Sequence, residues 1–385
     1  MTFYDKIKSM IFTNKNLSYF GIANIISSII LALFWFLIAS IVNTDDYGKI
    51  SYFIAIASIV TVLATPGVAN TLMVHSSKNQ KIKSPLFLIS IVLILLSSMI
   101  LFFILNNFAT SLYLLGYATF TVITSELLSR QLFGKLFKII IIQRILSIVI
   151  SLSLYYIIGL DGIIFGLAIS YLIYLPKFIT ILKNEPFNIS SLKDYRGFIF
   201  TNYGYDLSRI LATQLDKLVI FPLFGFITLG NYYLATQFLA IGIIIPGTVY
   251  QYILPQESKE KPFKNLKIAT IATSILISVL IIVLVPLLFT VMFSNFIDAI
   301  TMIQIMIISL IPQTINLMYI TKFLTKGNSK IVLLGSIIFI TVQITSIIIL
   351  GKIMGIYGIA LALLLGHSTE SIYLIICNRY FDDKK

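Results

Sequence analysis

Apolar positions in this chain follow one another for about twenty residues at a time, with short clusters of Lys, Arg, Asn, Asp and Gly between them. A barrel strand alternates polar and apolar positions over about ten residues, and no such alternation runs through this sequence. Apolar runs longer than about 18 residues predict helices that cross a bilayer, where each segment satisfies its own backbone N–H and C=O groups. Twelve segments can be marked: Tyr19–Val42, Gly48–Leu72, Pro85–Leu105, Phe108–Leu128, Ile139–Ile158, Gly162–Ile181, Phe198–Phe224, Asn231–Leu254, Ile268–Met292, Ala299–Phe323, Ile331–Leu350 and Gly355–Cys377. The fourth is the most polar, and only Asn106 and Asn107 separate it from the third. The expected fold is an all-α integral membrane protein with about 12 transmembrane helices.

Composition supports this division. Of the 385 residues, 58% are hydrophobic and 11% charged, and mean hydropathy is +0.99. A soluble chain of this size would lack the polar groups to cover its surface. The net charge of +13 would suit a nucleic-acid binder, but the positions of the charges exclude that reading. The N-terminal arm, the loops after segments 2, 4, 6, 8 and 10, with Lys177 and Lys322 near the adjoining ends of segments 6 and 10, and the tail hold 23 of the 28 basic residues. The opposite side holds two, Lys49 at the start of segment 2 and Lys352, and three lie deeper within segments. By the positive-inside rule both termini are cytoplasmic. Residues 3–16 fit a short basic amphipathic helix on the membrane surface. The first apolar run is longer than a signal-peptide core and lacks a small-residue cleavage site. One cysteine, Cys377, and two histidines, His75 and His367, exclude a disulfide framework and a clustered metal site. There is no phosphate-cradling loop, no HExxH and no nucleophile elbow, so neither a cofactor nor an enzyme activity is expected.

The two halves of the chain share landmarks. Asp46-Tyr47-Gly48-Lys49 opens the second segment, which contains Pro66-Gly67, and Thr228-Leu229-Gly230-Asn231 opens the eighth, which contains Pro246-Gly247. The sixth begins Gly162-Ile163-Ile164-Phe165-Gly166-Leu167-Ala168 and the twelfth Gly355-Ile356-Tyr357-Gly358-Ile359-Ala360. Offsets of about half the chain predict two six-helix bundles around a central cavity, the plan of alternating-access transporters. The bundles are residues 1–182, with a basic arm at 1–18, and residues 198–385, with a short basic tail; 183–197 is a cytoplasmic linker.

Ionisable groups inside apolar segments are costly and usually face a cavity or a partner. The seventh segment has four, Asp206, Arg209, Asp216 and Lys217. With Thr213 they fall within about 100° of one another on a helix, a polar stripe that cannot face lipid. Arg209 lies about 16 Å from the basic end, near the midplane. It either pairs with Asp206 one turn away or stands as a fixed cation for an anionic ligand. Lys217 either joins that ligand site or reaches the headgroups. Glu126 and Arg144, at similar depth, either pair with each other or act separately. Glu370, with His367 one turn before it, is either a proton relay or a satisfied buried carboxylate. Asp206, Glu370, Glu126 and Asp216 are the candidates for binding a coupling ion. Gln143, Gln214, Gln237, Gln304, Gln313, Asn316 and Gln343 either link helices or hydrogen-bond sugar hydroxyls. The 21 tyrosines read mainly as interfacial belts.

Gln214-Leu215-Asp216-Lys217-Leu218-Val219-Ile220, then Leu223-Phe224-Gly225, then Leu229-Gly230-Asn231-Tyr232-Tyr233-Leu234-Ala235, resembles the polysaccharide-biosynthesis branch of the multidrug/oligosaccharidyl-lipid/polysaccharide exporter superfamily. That branch includes the Wzx-type O-antigen flippases, and the Gly-rich starts of segments 6 and 12 are similar to it as well. The resemblance implies two six-helix bundles around a cationic cavity. It also implies flipping of undecaprenyl-diphosphate-linked oligosaccharide repeat units, for O-antigen of lipopolysaccharide or a similar surface polysaccharide. Transfer would run from the cytoplasmic to the periplasmic leaflet of a bacterial inner membrane. Arg209, Arg144 and Lys217, the basic residues placed deep within segments, would bind the diphosphate. Expected partners are the lipid-linked oligosaccharide and the bilayer, with a polysaccharide polymerase and a chain-length regulator as candidates and no nucleic acid. One alternative is a cation-coupled multidrug exporter of the same superfamily, which prefers acidic cavity residues such as Asp206 and Glu126. The other is a membrane-embedded polymerase or acyltransferase, but polymerases of that sort carry a large periplasmic loop and all such loops here are short.

Overall fold

The computed structural model describes residues 15–72, 83–184, 195–257 and 263–382. Among them there is no β-strand. Residues 3–16, where a surface helix was expected, fall almost wholly outside the described residues, as does most of the linker. The helices are α1 (Lys15–Ile41), α2 (Thr44–Ala64), α3 (Val68–Thr71), α4 (Lys83–Leu105), α5 (Phe108–Ser129), α6 (Phe133–Ile158), α7 (Leu160–Leu172), α8 (Leu175–Asn184), α9 (Arg196–Gly242), α10 (Ile244–Glu257), α11 (Lys264–Met292), α12 (Ile297–Met306), α13 (Leu310–Thr325), α14 (Ser329–Met354) and α15 (Ile356–Asp382). Ten spans are long and apolar enough to cross a membrane, and Ile25–Ile41 is a shorter apolar helix. The 47-residue α9 contains a non-helical corner at Gly225 (φ 81°, ψ 174°), so it makes two passes and the described residues make twelve. The protein is therefore a multi-pass α-helical membrane protein.

Proline and glycine account for the breaks inside the expected segments. The second segment stops at Ala64 and turns through Gly67 (φ 60°) before α3, because Pro66 cannot donate to the helical ladder. The sixth breaks between α7 and α8 beside Pro176, and the eighth between α9 and α10 ahead of Pro246. The tenth divides into α12 and α13 across a tight turn at Ile307–Ser309, just before Pro312. The polar fourth segment is an ordinary helix, started by Asn107, whose side chain accepts from the Thr110 N–H.

The internal repeat is visible in the backbone. Gly159 (φ 75°) turns α6 into α7, and Gly355 (φ 59°) turns α14 into α15. A Cβ on Gly162 would lie 2.3 Å from the Leu154 carbonyl oxygen, and one on Gly358 would lie 2.0 Å from that of Leu350. Gly159 therefore corresponds to Gly355 and Gly162 to Gly358, both 196 residues apart. This corrects the sequence register, which set Gly162 beside Gly355, because turn geometry rather than glycine count identifies the partners.

The connections at the ends opposite the basic loops are short. They are Val42–Asn43, Asn106–Asn107, Gly159, Gly225, Phe293 with the turn Ser294–Phe296, and Gly355.

Packing divides the chain into two compact units, Met1–Ile30 with Phe53–Gln214, and Leu31–Tyr52 with Leu215–Lys385. In the first, Leu72, Phe87, Ile123, Leu127 and Phe178 form a buried core. In the second, Phe323, Val332 and Leu374 do so near the basic ends of their helices.

Candidate functional site

In the first unit, α5, α6, α7 and the first half of α9 bring charged and aromatic side chains together. Gly116 on α5 lets it approach α7 closely, since a Cβ there would lie 2.8 Å from the Ala168 carbonyl oxygen. The buried Gln143 amide on α6 donates to Ser170 Oγ on α7 at 3.1 Å, which sets the rotation of both helices. The next residue, Arg144, consequently turns its guanidinium toward Tyr171, and Nη1 donates to the phenol oxygen at 3.4 Å. Arg144 Nε is buried and has no hydrogen-bond partner. Tyr171 belongs to an aromatic cluster, with ring centroids 5.8 Å from Tyr113, 5.4 Å from Tyr117 and 5.0 Å from Phe120. Tyr113 and Tyr117 stack at 5.6 Å.

Arg209 on α9 is exposed, and its guanidinium carbon lies 6.0 Å from the Tyr205 ring centroid. The charges of Arg144 and Arg209 both act on the Tyr117 phenol, so α5 presents one tyrosine to two cations. Among the described residues, no carboxylate lies within ion-pair distance of either arginine. The Asp206–Arg209 pair is therefore not formed: Asp206 is half-buried while Arg209 points outward from the same helix. The Glu126–Arg144 pair is not formed either, because Glu126 pairs with Arg130, one turn along α5.

The polar stripe of the seventh segment divides between the two units. Arg209 and Thr213 lie exposed in the first, while Asp216 and Lys217 are buried in the second, each about 5% exposed. Lys217 Nζ donates to Asp216 Oδ1 at 3.3 Å and lies 6.0 Å from the Tyr233 ring. Asp216 Oδ2 accepts from the Tyr232 hydroxyl at 2.6 Å, and Gln343 Nε2 donates to that hydroxyl at 3.4 Å. Glu370 is buried on α15, where Oε2 accepts from Asn316 Nδ2 at 2.8 Å and lies 3.7 Å from His367 Nδ1. Asn316 is oriented by the Ser371 hydroxyl at 2.5 Å, and the His367 ring stacks on Phe339. Among the described residues, no cluster of His, Cys, Asp and Glu could hold a metal ion. Sequence reasoning did not single out Tyr117 or Tyr171, and named Tyr232 only within the run that carries the family resemblance, because an interfacial tyrosine and a buried one look alike until helix rotation is known.

The family of polysaccharide biosynthesis proteins matches residues 37–260, more than half of the chain. No curated protein matches. The fold is similar to that of the lipid II flippase MurJ in an inward closed conformation, at 17% identity and TM-score 0.73, covering 94% of this chain and 87% of that one. It is similar to a multidrug resistance MATE family transporter of the MOP superfamily in an outward-facing conformation, at 13% identity and TM-score 0.64, with 95% of each chain covered. A MOP superfamily transporter from Pyrococcus furiosus, described as having a binding pocket of reverse polarity, is similar at 14% identity and TM-score 0.63, with 97% of each chain covered. On the family match, with the fold in agreement, this chain belongs to the polysaccharide biosynthesis protein family.

Proposed function

We propose that this protein is a flippase for undecaprenyl-diphosphate-linked oligosaccharide repeat units of O-antigen or a similar surface polysaccharide. It moves them by alternating access from the cytoplasmic to the periplasmic leaflet of a bacterial inner membrane, with both termini cytoplasmic. The observation that supports this reading is the pair Arg144 and Arg209, two cations on apolar helices without a carboxylate partner among the described residues. An uncompensated guanidinium inside a membrane is expensive and has a use when an anion comes to it. Guanidinium forks match phosphate oxygens in two directions, and a diphosphate crossing lipid requires such fixed positive charge. Lys217 is already bound by Asp216, so in this conformation the anion site rests on the two arginines. Membership of a polysaccharide biosynthesis family agrees with the proposed cargo.

Arg209→Ala and Arg144→Ala should each abolish surface glycan export while the protein remains at its normal level in the membrane. Arg209→Lys should keep part of the activity as a point charge. Full export by both alanine variants would reject the site. A second reading, a cation-coupled multidrug exporter, is favoured by the coverage of MATE structures and by Asp206 on the same helix as Arg209. Efflux of a cationic dye from cells that need no glycan export, lost in Asp206→Asn, would select that reading instead.

A further inference from the structure

Four basic side chains of the first unit gather where α5 turns into α6. Gln131 (φ 55°) helps to reverse the chain within three residues, so Arg130 at the end of α5 stands beside the start of α6, which carries Lys135 and Lys138. The Tyr174 hydroxyl donates to the Ile139 carbonyl oxygen at 3.0 Å, which ties the break between α7 and α8 to α6, one turn past Lys135. Lys177 follows Tyr174 by three residues, and the charges of Glu126, Lys135 and Arg130 all act on it. Leu127, Leu136 and Phe178 belong to the buried core and are the sequence neighbours of Glu126, Lys135 and Lys177, so these charges stand on a rigid base.

The charges do not balance. Glu126 pairs with Arg130, and among the described residues no carboxylate lies within ion-pair distance of Lys135, Lys138 or Lys177. The positive-inside rule accounts for the sign of these groups but not for their convergence on a half-buried lysine. Like charges held together repel until an anion joins them. Helix α6 also starts without a side-chain cap on its N–H groups, which adds to the positive field. A Cβ on Gly134 would meet nothing within 4 Å, so this end of the helix is open to a ligand.

Beyond the cations the same face of α6 turns apolar. Ile142, Ile145 and Val149 are exposed, and with Lys135 and Lys138 they fall within about 80° of one another at 100° per residue. From Lys138 to Val149 the stripe is about 16 Å long, the depth of one leaflet of a hydrocarbon core about 30 Å thick. Arg144 lies about 140° round the helix from this stripe and faces Tyr171. A cationic head above an apolar track one leaflet deep fits a phospholipid rather than a free phosphate. Its separation from Arg144 favours a resident lipid over the cargo.

We propose that the α5–α6 turn and the α6 stripe hold one anionic phospholipid of the leaflet that faces the basic loops. Its phosphodiester lies against Arg130, Lys135, Lys138 and Lys177, and an acyl chain runs along Ile142, Ile145 and Val149. This site does not depend on the flippase reading. The test uses the full-length protein with Trp35→Phe, so that Ile142→Trp supplies its one tryptophan. The protein is reconstituted in vesicles of phosphatidylcholine and phosphatidylglycerol, with one or the other lipid dibrominated to quench that tryptophan on contact. Quenching should show a preference for phosphatidylglycerol of about fivefold or more, the effect of a single cation near the surface. Lys135→Gln with Lys138→Gln, which changes two exposed side chains, should lower the preference, as should Lys177→Gln and raised ionic strength. Val92→Trp, exposed at the same depth on α4, should show little preference. Equal quenching by both lipids at Ile142→Trp, an equal preference at Val92→Trp, or a preference that ignores the lysine changes overturns the site. Displacement of the brominated lipid by undecaprenyl diphosphate at a far lower mole fraction overturns the resident-lipid assignment and gives the surface to the cargo.

Discussion

Asp216 and Lys217 place opposite charges inside the second unit, where neither has water to rely on. Removing Asp216 takes from Lys217 the carboxylate that balances its charge. Asp216→Ala should destabilise the protein by about 3–5 kcal/mol, measured as thermal unfolding in detergent or as loss from the membrane. Asp216→Leu combined with Lys217→Met should recover most of that loss. Tyr232→Phe removes a 2.6 Å donor to a carboxylate and should cost about 1.5–3 kcal/mol. Arg209→Ala should barely move the unfolding temperature, because the side chain is exposed and has no carboxylate partner among the described residues. A large drop would mean that Arg209 supports the fold. The sequence disclosed these residues as ionisable groups in apolar runs but not their partners. Arg144 meets Tyr171 rather than Glu126, and Lys217 meets Asp216 rather than water. Pairing depends on how each helix is rotated, and a helix apolar on all sides carries little record of that rotation.

Among the helices, length and apolar content located every pass, while glycine and proline set the corners. The two kinds of glycine at the α14–α15 corner make a clean comparison. Gly355 has open space around it but a φ of 59°, so Gly355→Ala should cost about 1–3 kcal/mol through backbone strain alone. Gly358 is helical and lies against the Leu350 carbonyl, so Gly358→Val should push α15 off α14 and cost as much or more through overpacking. Shortening Ile359, which packs beside Gly351, should not rescue Gly358→Val, because the obstacle is backbone. Melting curves of Gly355→Ala, Gly358→Val and Gly358→Val with Ile359→Ala check all three expectations. Gly48 and Gly230 were visible in sequence only as a repeated glycine; that a Cβ on either would lie 2.0 Å from a carbonyl oxygen of the other's helix is a fact of tertiary structure.

For the whole molecule, the charge asymmetry makes a prediction that needs no knowledge of the cargo. In the Cys377→Ser background, single cysteines at Lys135 and Lys326 should react only from the cytoplasm. Cysteines at Asn43, Asn107, Asn295 and Lys352 should react from outside. Two or more sites on the wrong side would invalidate the topology. The internal repeat could be read from the chain because glycine landmarks of the first half recur in the same order in the second. The proposed anion site was only half legible, because Tyr117 and Tyr171 join Arg144 through packing between helices far apart in sequence.

The abrupt corners at Asn106–Asn107, Gly159, Gly225 and Gly355 have a consequence for how readily the folded protein is cut or bound. A protease needs several residues of extended backbone to enter its cleft, and an antibody needs a raised patch to grip. On the face opposite the basic loops the chain turns back within one to a few residues, so it offers neither. Proteases and antibodies that reach this face would thus find little to cut or hold.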